Sequence, residues 1–512
     1  MDLNNRRTFL KTCTAGTSAL LATPALLRPI AELATPLSKI DWIQHRPEID
    51  PVVKLIRQTE RQECIPVFSE KLKRDLSYEQ FLTALFLTAS ETGDLHQLAQ
   101  INAAYRLSQR SKIEDRLIPL FWALDRVKRG QEAEDKSYFL QRLKGPLPSS
   151  TTARTQFREA MQAADKSTAE KAIIVIARTE GVSRAIALLW EHAVRDLGGT
   201  LGHLPIGVAN GWRTLQTIGY QHAEPYLRYL AREVCRKTPD ETYAANEQRL
   251  KVSLPQLPAD WAAQEGHRDV TLDLYDILRA GEAEAAGKFI SDSLVKSTAK
   301  AGAIWDAISL AAADLIYRHR TGGSVIGGAL IHAITATNAM RYGFRNEIGD
   351  KLRLIQLLQA AGSVAHGFIH NALKDQRLRR IDLVRDFTSR ADSKQTAVKH
   401  SGELFAGLPF KSDSYDQTNP EERKASDLAC HQALGFLRSP ANQLEFLQNA
   451  RSLVCRKATE DPHDLKYPIA AFEDAYLAST EWRPYLLAST LHALHGVNSP
   501  DSTVYLQVKQ TL

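Results

Sequence analysis

A chain of 512 residues with 44% hydrophobic and 24% charged content has the composition of a soluble globular protein with a large buried core, and it has no need of disulfides for stability. The net charge of +6 is spread along the chain, and its densest basic run, Lys374 to Arg385, contains Asp375 and Asp382 and no aromatics for stacking, which excludes nucleic acid as a partner. No GxGxxG fingerprint follows a strand, so no dinucleotide domain is built in.

The first element is Arg6-Arg7-Thr8-Phe9-Leu10-Lys11, followed by the apolar, alanine-rich run from Thr12 to Leu27. Paired arginines ahead of Phe-Leu-Lys read as a twin-arginine export signal. The apolar run is too short and weak for a stable membrane span. Residues 1–35 are therefore expected to be a signal peptide, cut between Ala25 and Pro36, and residues 36–512 a periplasmic domain delivered by the twin-arginine translocation machinery. That route carries folded proteins, which suits a chain with a buried metal site.

Beyond the signal, Tyr78 to Ala89, Ile113 to Arg129, Ala169 to Arg178, Arg184 to Asp196, Ala303 to Arg320 and Lys351 to Leu373 repeat apolar residues at spacings of three and four, and nothing alternates for long. Ser77 and Thr168 read as N-caps; Gly93, Gly130 and Gly181 read as stops. Breaks fall at 144–150, 252–258 and 407–420, the last with the composition of a lid. No repeat of solenoid length is present. The expectation is all-α: one large multi-helix domain, not a solenoid. Cys64, Cys235, Cys430 and Cys455 are widely spaced among apolar helix positions, which predicts buried free thiols and excludes ribbon, cluster and c-type haem motifs.

Histidines carry the chemistry. In Gly202 to Pro225, Ile206, Ala209, Leu215 and Ile218 form a buried stripe, with His203 and His222 near its two ends. His96 opens a helix after Gly93-Asp94-Leu95, and His332 lies in the uncharged run Ala329 to Ala339. His366 and His370 stand at i,i+4, but lack the glutamate that a zincin places after the first histidine. His463 and Lys466 lie one turn apart in Asp461-Pro462-His463-Asp464-Leu465-Lys466. Any one of these alone reads as a hydrogen-bonded core imidazole. Together they suit iron, zinc, copper or nickel. A lysine joins such a set only as a neutral amine converted by carbon dioxide to an anionic carbamate, which burial beside a metal favours.

The ordered set of His96, Gly202-His203, the His332-Ala-Ile-Thr-Ala segment and Asp461-x-His463-x-x-Lys466 resembles the questin oxidase-like proteins, all-helical non-haem iron oxygenases acting on polycyclic aromatic quinones. The resemblance covers most of the chain after the signal, in order, through short motifs. It implies non-haem Fe held by His96, His203, His332 and His463, with Lys466 as carbamate ligand. The segment with His222 and Glu224 is more elaborate than the family's, so His222 stands either in place of His203 or as an acid–base residue beside the metal. The implied function is that of an exported oxidoreductase for an organic small-molecule substrate, with His222, Glu224 and Arg213 in catalytic or substrate-contacting roles and Trp212 and Tyr220 as aromatic surface. Two other readings stand beside it: a non-enzymatic helical binding protein with structural histidines, and a haem protein using one histidine axially.

Overall fold

The computed structural model describes residues 46–512 apart from 133–139, 198, 236–238, 321–323, 348, 389–397 and 409–419. The twin-arginine motif, its apolar run, the expected cleavage region and most of the 407–420 break lie outside the described residues. Within them the chain is all-α, with one isolated antiparallel bridge between His319 and Leu378. The buried apolar side chains join into a single cluster running from Ile49 to Val508, so the helices share one core and form one domain. No described helix is long and apolar enough to cross a membrane.

Local chemistry sets the helix ends. Ser77 Oγ accepts from the Gln80 amide at 3.1 Å while Gln80 Oε1 accepts from the Ser77 amide at 3.0 Å, closing a capping box on the helix Tyr78–Thr92. Gly93 ends that helix with φ of 74°, and Asp94 at once starts the next, Leu95–Arg110, by accepting from the His96 amide at 2.7 Å. Two expected signals act differently. Thr168 lies inside Lys166–Glu180, whose cap is Asp165. Gly130 does not stop Ile118–Glu132; a Cβ there would fall 1.9 Å from Gln97 Nε2, so the glycine permits close approach to the His96 helix. The 252–258 break contains a short 3-10 turn, Leu254–Gln256, and the expected helix from Lys351 becomes a π-helix over Ser363–His370. The four cysteines are buried and unpaired.

Four helices matter most. The His96 helix (Leu95–Arg110) packs on the His203 helix (His203–Ile218), which packs on the His332 helix (Ser324–Asn346); that packs on the His463 helix (His463–Leu477), which returns to the His96 helix. They form a closed cycle of four, the geometry in which side chains from facing helices meet on a central axis. Gly202 sets one of its joints. Its φ is 77°, and a Cβ there would lie 2.5 Å from the Cβ of Ala336 on the His332 helix. Both the left-handed backbone and the absent side chain are required for His203 to begin its helix in that place.

Gly202→Ala is therefore expected to lower stability by about 1–3 kcal/mol, from overpacking with added backbone strain. Gly435→Ala, where nothing lies within 4 Å of the new methyl, should be neutral or gain up to ~1 kcal/mol. Urea unfolding followed by far-UV circular dichroism separates the two; equal effects would contradict the role assigned to Gly202.

Candidate metal centre

Three of the four histidines stand on the first turn of a helix: His96 directly after Leu95, and His203 and His463 as the first residues of theirs. His332 lies mid-helix, 2% exposed. The cycle brings all four rings together. Ring centroids are 4.5 Å apart for His96 and His203, 4.3 Å for His203 and His332, 5.1 Å for His332 and His463, and 5.8 Å for His96 and His463. Lys466, one turn along from His463 and 4% exposed, points its amine among them, 3.1 Å from His96 Nδ1 and 3.1 Å from His332 Nε2.

Hydrogen-bond accounting fixes the tautomers. As an ammonium, Lys466 can only donate, so in that state His96 Nδ1 and His332 Nε2 carry lone pairs. His203 Nδ1 lies against the Thr200 carbonyl, which can only accept, and His463 Nδ1 is 2.6 Å from Asp461 Oδ1. Each of those nitrogens therefore bears the proton, which leaves the lone pair on Nε2. His203 Nε2 and His463 Nε2 are buried without a hydrogen-bond partner. Two rings thus have the outer-nitrogen-to-oxygen arrangement that orients metal-ligating histidines. His332 Nδ1 is the exception, buried with no acceptor of its own.

The electrostatics keep the rings neutral. Burial, then the charge of Lys466, pushes His96 down to about 2 and His203 down to about 4, and depresses His332 further. Helix N-termini at His96 and His203 add to the same effect. Burial also brings the Lys466 ammonium down to about 7, against the raising influence of Asp461 and Asp94. Three uncharged imidazoles around an amine that loses its proton easily suit a cation or an electrophile. As it stands, no group of three or more His, Cys, Asp or Glu side chains among the described residues is arranged to hold a metal ion. Lys466 stands between His96 and His332, where a ligand set without it would have to close. The donors fit a metal in chemical type, and to hold one the lysine must take part or move aside.

Other residues singled out in the sequence lie elsewhere. The His203 helix spans 16 residues, about 24 Å at 1.5 Å per residue, and His222 and Glu224 follow its far end. His222 is buried beside Arg46, and Glu224 bonds Arg178 at 2.9 Å. The structure does not bring these two to the four-histidine cluster, because the length of that helix separates them from His203. His366 and His370 stack at 5.3 Å on the π-helix, with His366 3.2 Å from Glu241, apart from the cluster. Trp212 donates to the Tyr220 hydroxyl at 3.2 Å.

Arg213 does approach the centre. It lines a small recess together with Asn102, Arg106, Asn338 and Lys466. Arg213 Nη2 donates to Glu473 Oε2 at 2.9 Å, Asn338 Nδ2 to the same oxygen at 2.9 Å, and Arg106 Nη1 at 2.5 Å. Sequence reasoning missed Arg106, Asn338 and Glu473. The signal for Glu473 was its position two turns after Lys466, on the face carrying Ile469 and Ala470, where an unpaired carboxylate would not be expected. No protein-family model, curated protein or solved structure matches this chain.

Burial alone would raise the Glu473 carboxyl, yet the guanidiniums of Arg106 and Arg213 hold it well below the usual carboxylate range. A depressed folded-state value contributes stability above the unfolded pKa, and that contribution is lost as pH falls through the folded value. Glu473→Gln, which leaves two partly buried arginines without their shared anion, is expected to cost about 3 kcal/mol at neutral pH. The difference from the wild type should narrow once pH drops below ~4.3. Denaturant melts across pH test this; a gap that widens in acid would contradict the charge assignment.

Proposed function

We propose that this chain is an exported, metal-dependent oxidoreductase, a non-haem iron oxygenase resembling the questin oxidase-like proteins, acting on an organic substrate. The observation that carries the reading is the clustering of four imidazoles, two of them in contact with one buried lysine amine. His96, His203, His332 and His463 would hold the ion, with Lys466 as carbamate. Iron bound there would supply Lewis-acid and redox chemistry.

The protein's own part is positional. Thr200 and Asp461 fix the tautomers of His203 and His463, and the packed helices exclude water. Lys466, as a neutral amine, attacks the carbon of carbon dioxide; the N–C bond forms, a proton leaves to solvent, and the buried cation becomes an anionic oxygen donor. Arg213 lines the small recess beside that lysine. His222 and Glu224, beyond the far end of the His203 helix, take no part. The binding-protein reading keeps one point in its favour: two imidazole nitrogens already satisfy the lysine amine, as a purely structural network would.

Metal content decides between the two. Protein purified without chelator is expected to hold about one iron per chain, and His332→Ala to lose it while keeping its helical circular dichroism. Lys466→Ala should lower occupancy, with partial recovery on adding bicarbonate or a small carboxylic acid. Wild-type metal content in both variants, or no metal in the wild type, would leave the structural reading. Export is tested separately. Lysines in place of Arg6 and Arg7 should leave the chain unprocessed in the cytoplasm, and unchanged processing would remove the signal assignment.

A further inference from the structure

The π-helix Ser363–His370 carries a histidine pair that the four-helix cycle does not use. Its inward residues, Val364, Ala365, Phe368 and Ile369, are buried in the core. His366 and Gly367 are partly exposed, and His370 is exposed. The two imidazoles stack at 5.3 Å with 24° between their planes, and His366 Nε2 lies 3.2 Å from Glu241 Oε2.

Two features of this turn bring no gain in packing. A glycine inside a helix lowers its stability relative to alanine, and a Cβ on Gly367 would meet only Ser363 Oγ, at an ordinary contact distance of 3.6 Å. The π geometry is rare, occurs mostly as single turns and is frequent at functional sites. Gly367 leaves the outer face between the two rings without a side chain. Glu241 is firmly placed at its backbone. It opens the helix Glu241–Ser253, whose Thr242 and Asn246 donate to Gln359 Oε1 at 3.1 and 2.8 Å, one turn before the π-helix.

We propose that His366, His370 and Glu241 form a surface site for a divalent transition-metal ion, Cu²⁺ ahead of Zn²⁺, separate from the four-histidine centre. Two imidazoles and one carboxylate suit borderline ions, in the order in which copper binds more tightly than zinc. Mg²⁺ and Ca²⁺, which take oxygen donors, are poor guests for such a set. As they stand, the three side chains are not arranged around an ion. The exposed ring of His370 and the exposed carboxylate of Glu241 close on one by turning about their own side-chain bonds, and water fills the remaining positions. The ion ties the first turn of the Glu241 helix to the π-helix. None of this depends on the oxygenase reading.

The test is carbethoxylation of histidines by diethyl pyrocarbonate on the full chain, read peptide by peptide by mass spectrometry while Cu²⁺ or Zn²⁺ is raised. Because each peptide reports its own ring, metal at the four-histidine centre does not enter the measurement. His400 is the internal control: its Nε2 lies 3.2 Å from Glu403 Oε1, the same carboxylate contact as His366, with no second histidine one turn away. His366 and His370 are expected to become protected together, at a metal concentration about ten-fold or more below that protecting His400, and to stay labelled in Mg²⁺ or Ca²⁺. His370→Ala should raise the concentration that protects His366 by about ten-fold or more, and Glu241→Gln by a smaller factor. Both changes are at exposed positions, and far-UV circular dichroism verifies the fold. Protection of His366 and His400 at one concentration, an adventitious ion only, overturns the site. So does protection of His366 that is unchanged in either variant.

Discussion

Much of this structure depends on a buried amine held by two imidazoles. Lys466 cannot reach both His96 and His332 unless the helices bearing them pack against the helix that carries the lysine, and the His203 helix completes the cycle. Taking an amine out of water is unfavourable unless its protons find acceptors or its charge is lost. Both happen here: two ring nitrogens accept, and burial brings the ammonium down to about 7. The helices that carry Lys466, His96 and His332 therefore specify each other, because shifting any one leaves the amine or a ring nitrogen without its partner.

The second constraint is charge. Glu473 lies on the lysine's own helix, on the face that also bears Ile469 and Ala470, and it ties Arg106 of the His96 helix to Arg213 of the His203 helix. Asn338 from the His332 helix donates to the same carboxylate and to Asp474 at 2.8 Å. All four helices thus meet twice, once through imidazoles and an amine and once through guanidiniums and a carboxylate. The first meeting is electrically quiet; the second is held by strong pairing. Between them lies the recess in which the two chemistries adjoin.

Much of the fold was legible because helical periodicity and caps are local. Ser77 with Gln80, and Gly93 with Asp94, act through neighbours within a turn, and the sequence contains all they need. Thr168 and Gly130 misled for the opposite reason. A threonine three residues after an aspartate yields the cap to the stronger acceptor, and a glycine inside a helix meets a partner, Gln97, that no local pattern reveals. The same divide runs through the site. His463 and Lys466 were readable as a pair from their spacing, whereas the meeting of His96, His203 and His332 with them rested on resemblance to a family. Arg106 and Glu473 were invisible, since an arginine and a glutamate on separate helices read as surface until they are found paired and largely out of solvent. His222 and Glu224 drew notice by their apolar company, but a 16-residue helix carries them away from His203.

Three of the four imidazoles begin helices, and only His463 and Lys466 are near neighbours in the chain; every other pair in the cluster is more than a hundred residues apart. In the unfolded polypeptide these donors are dilute with respect to one another, because closing each intervening loop has an entropic cost. The cluster is thus an outcome of folding and cannot nucleate it. Whatever enters it must wait for a finished chain, and must then pass through a closed ring of helices or through the arginine-lined recess.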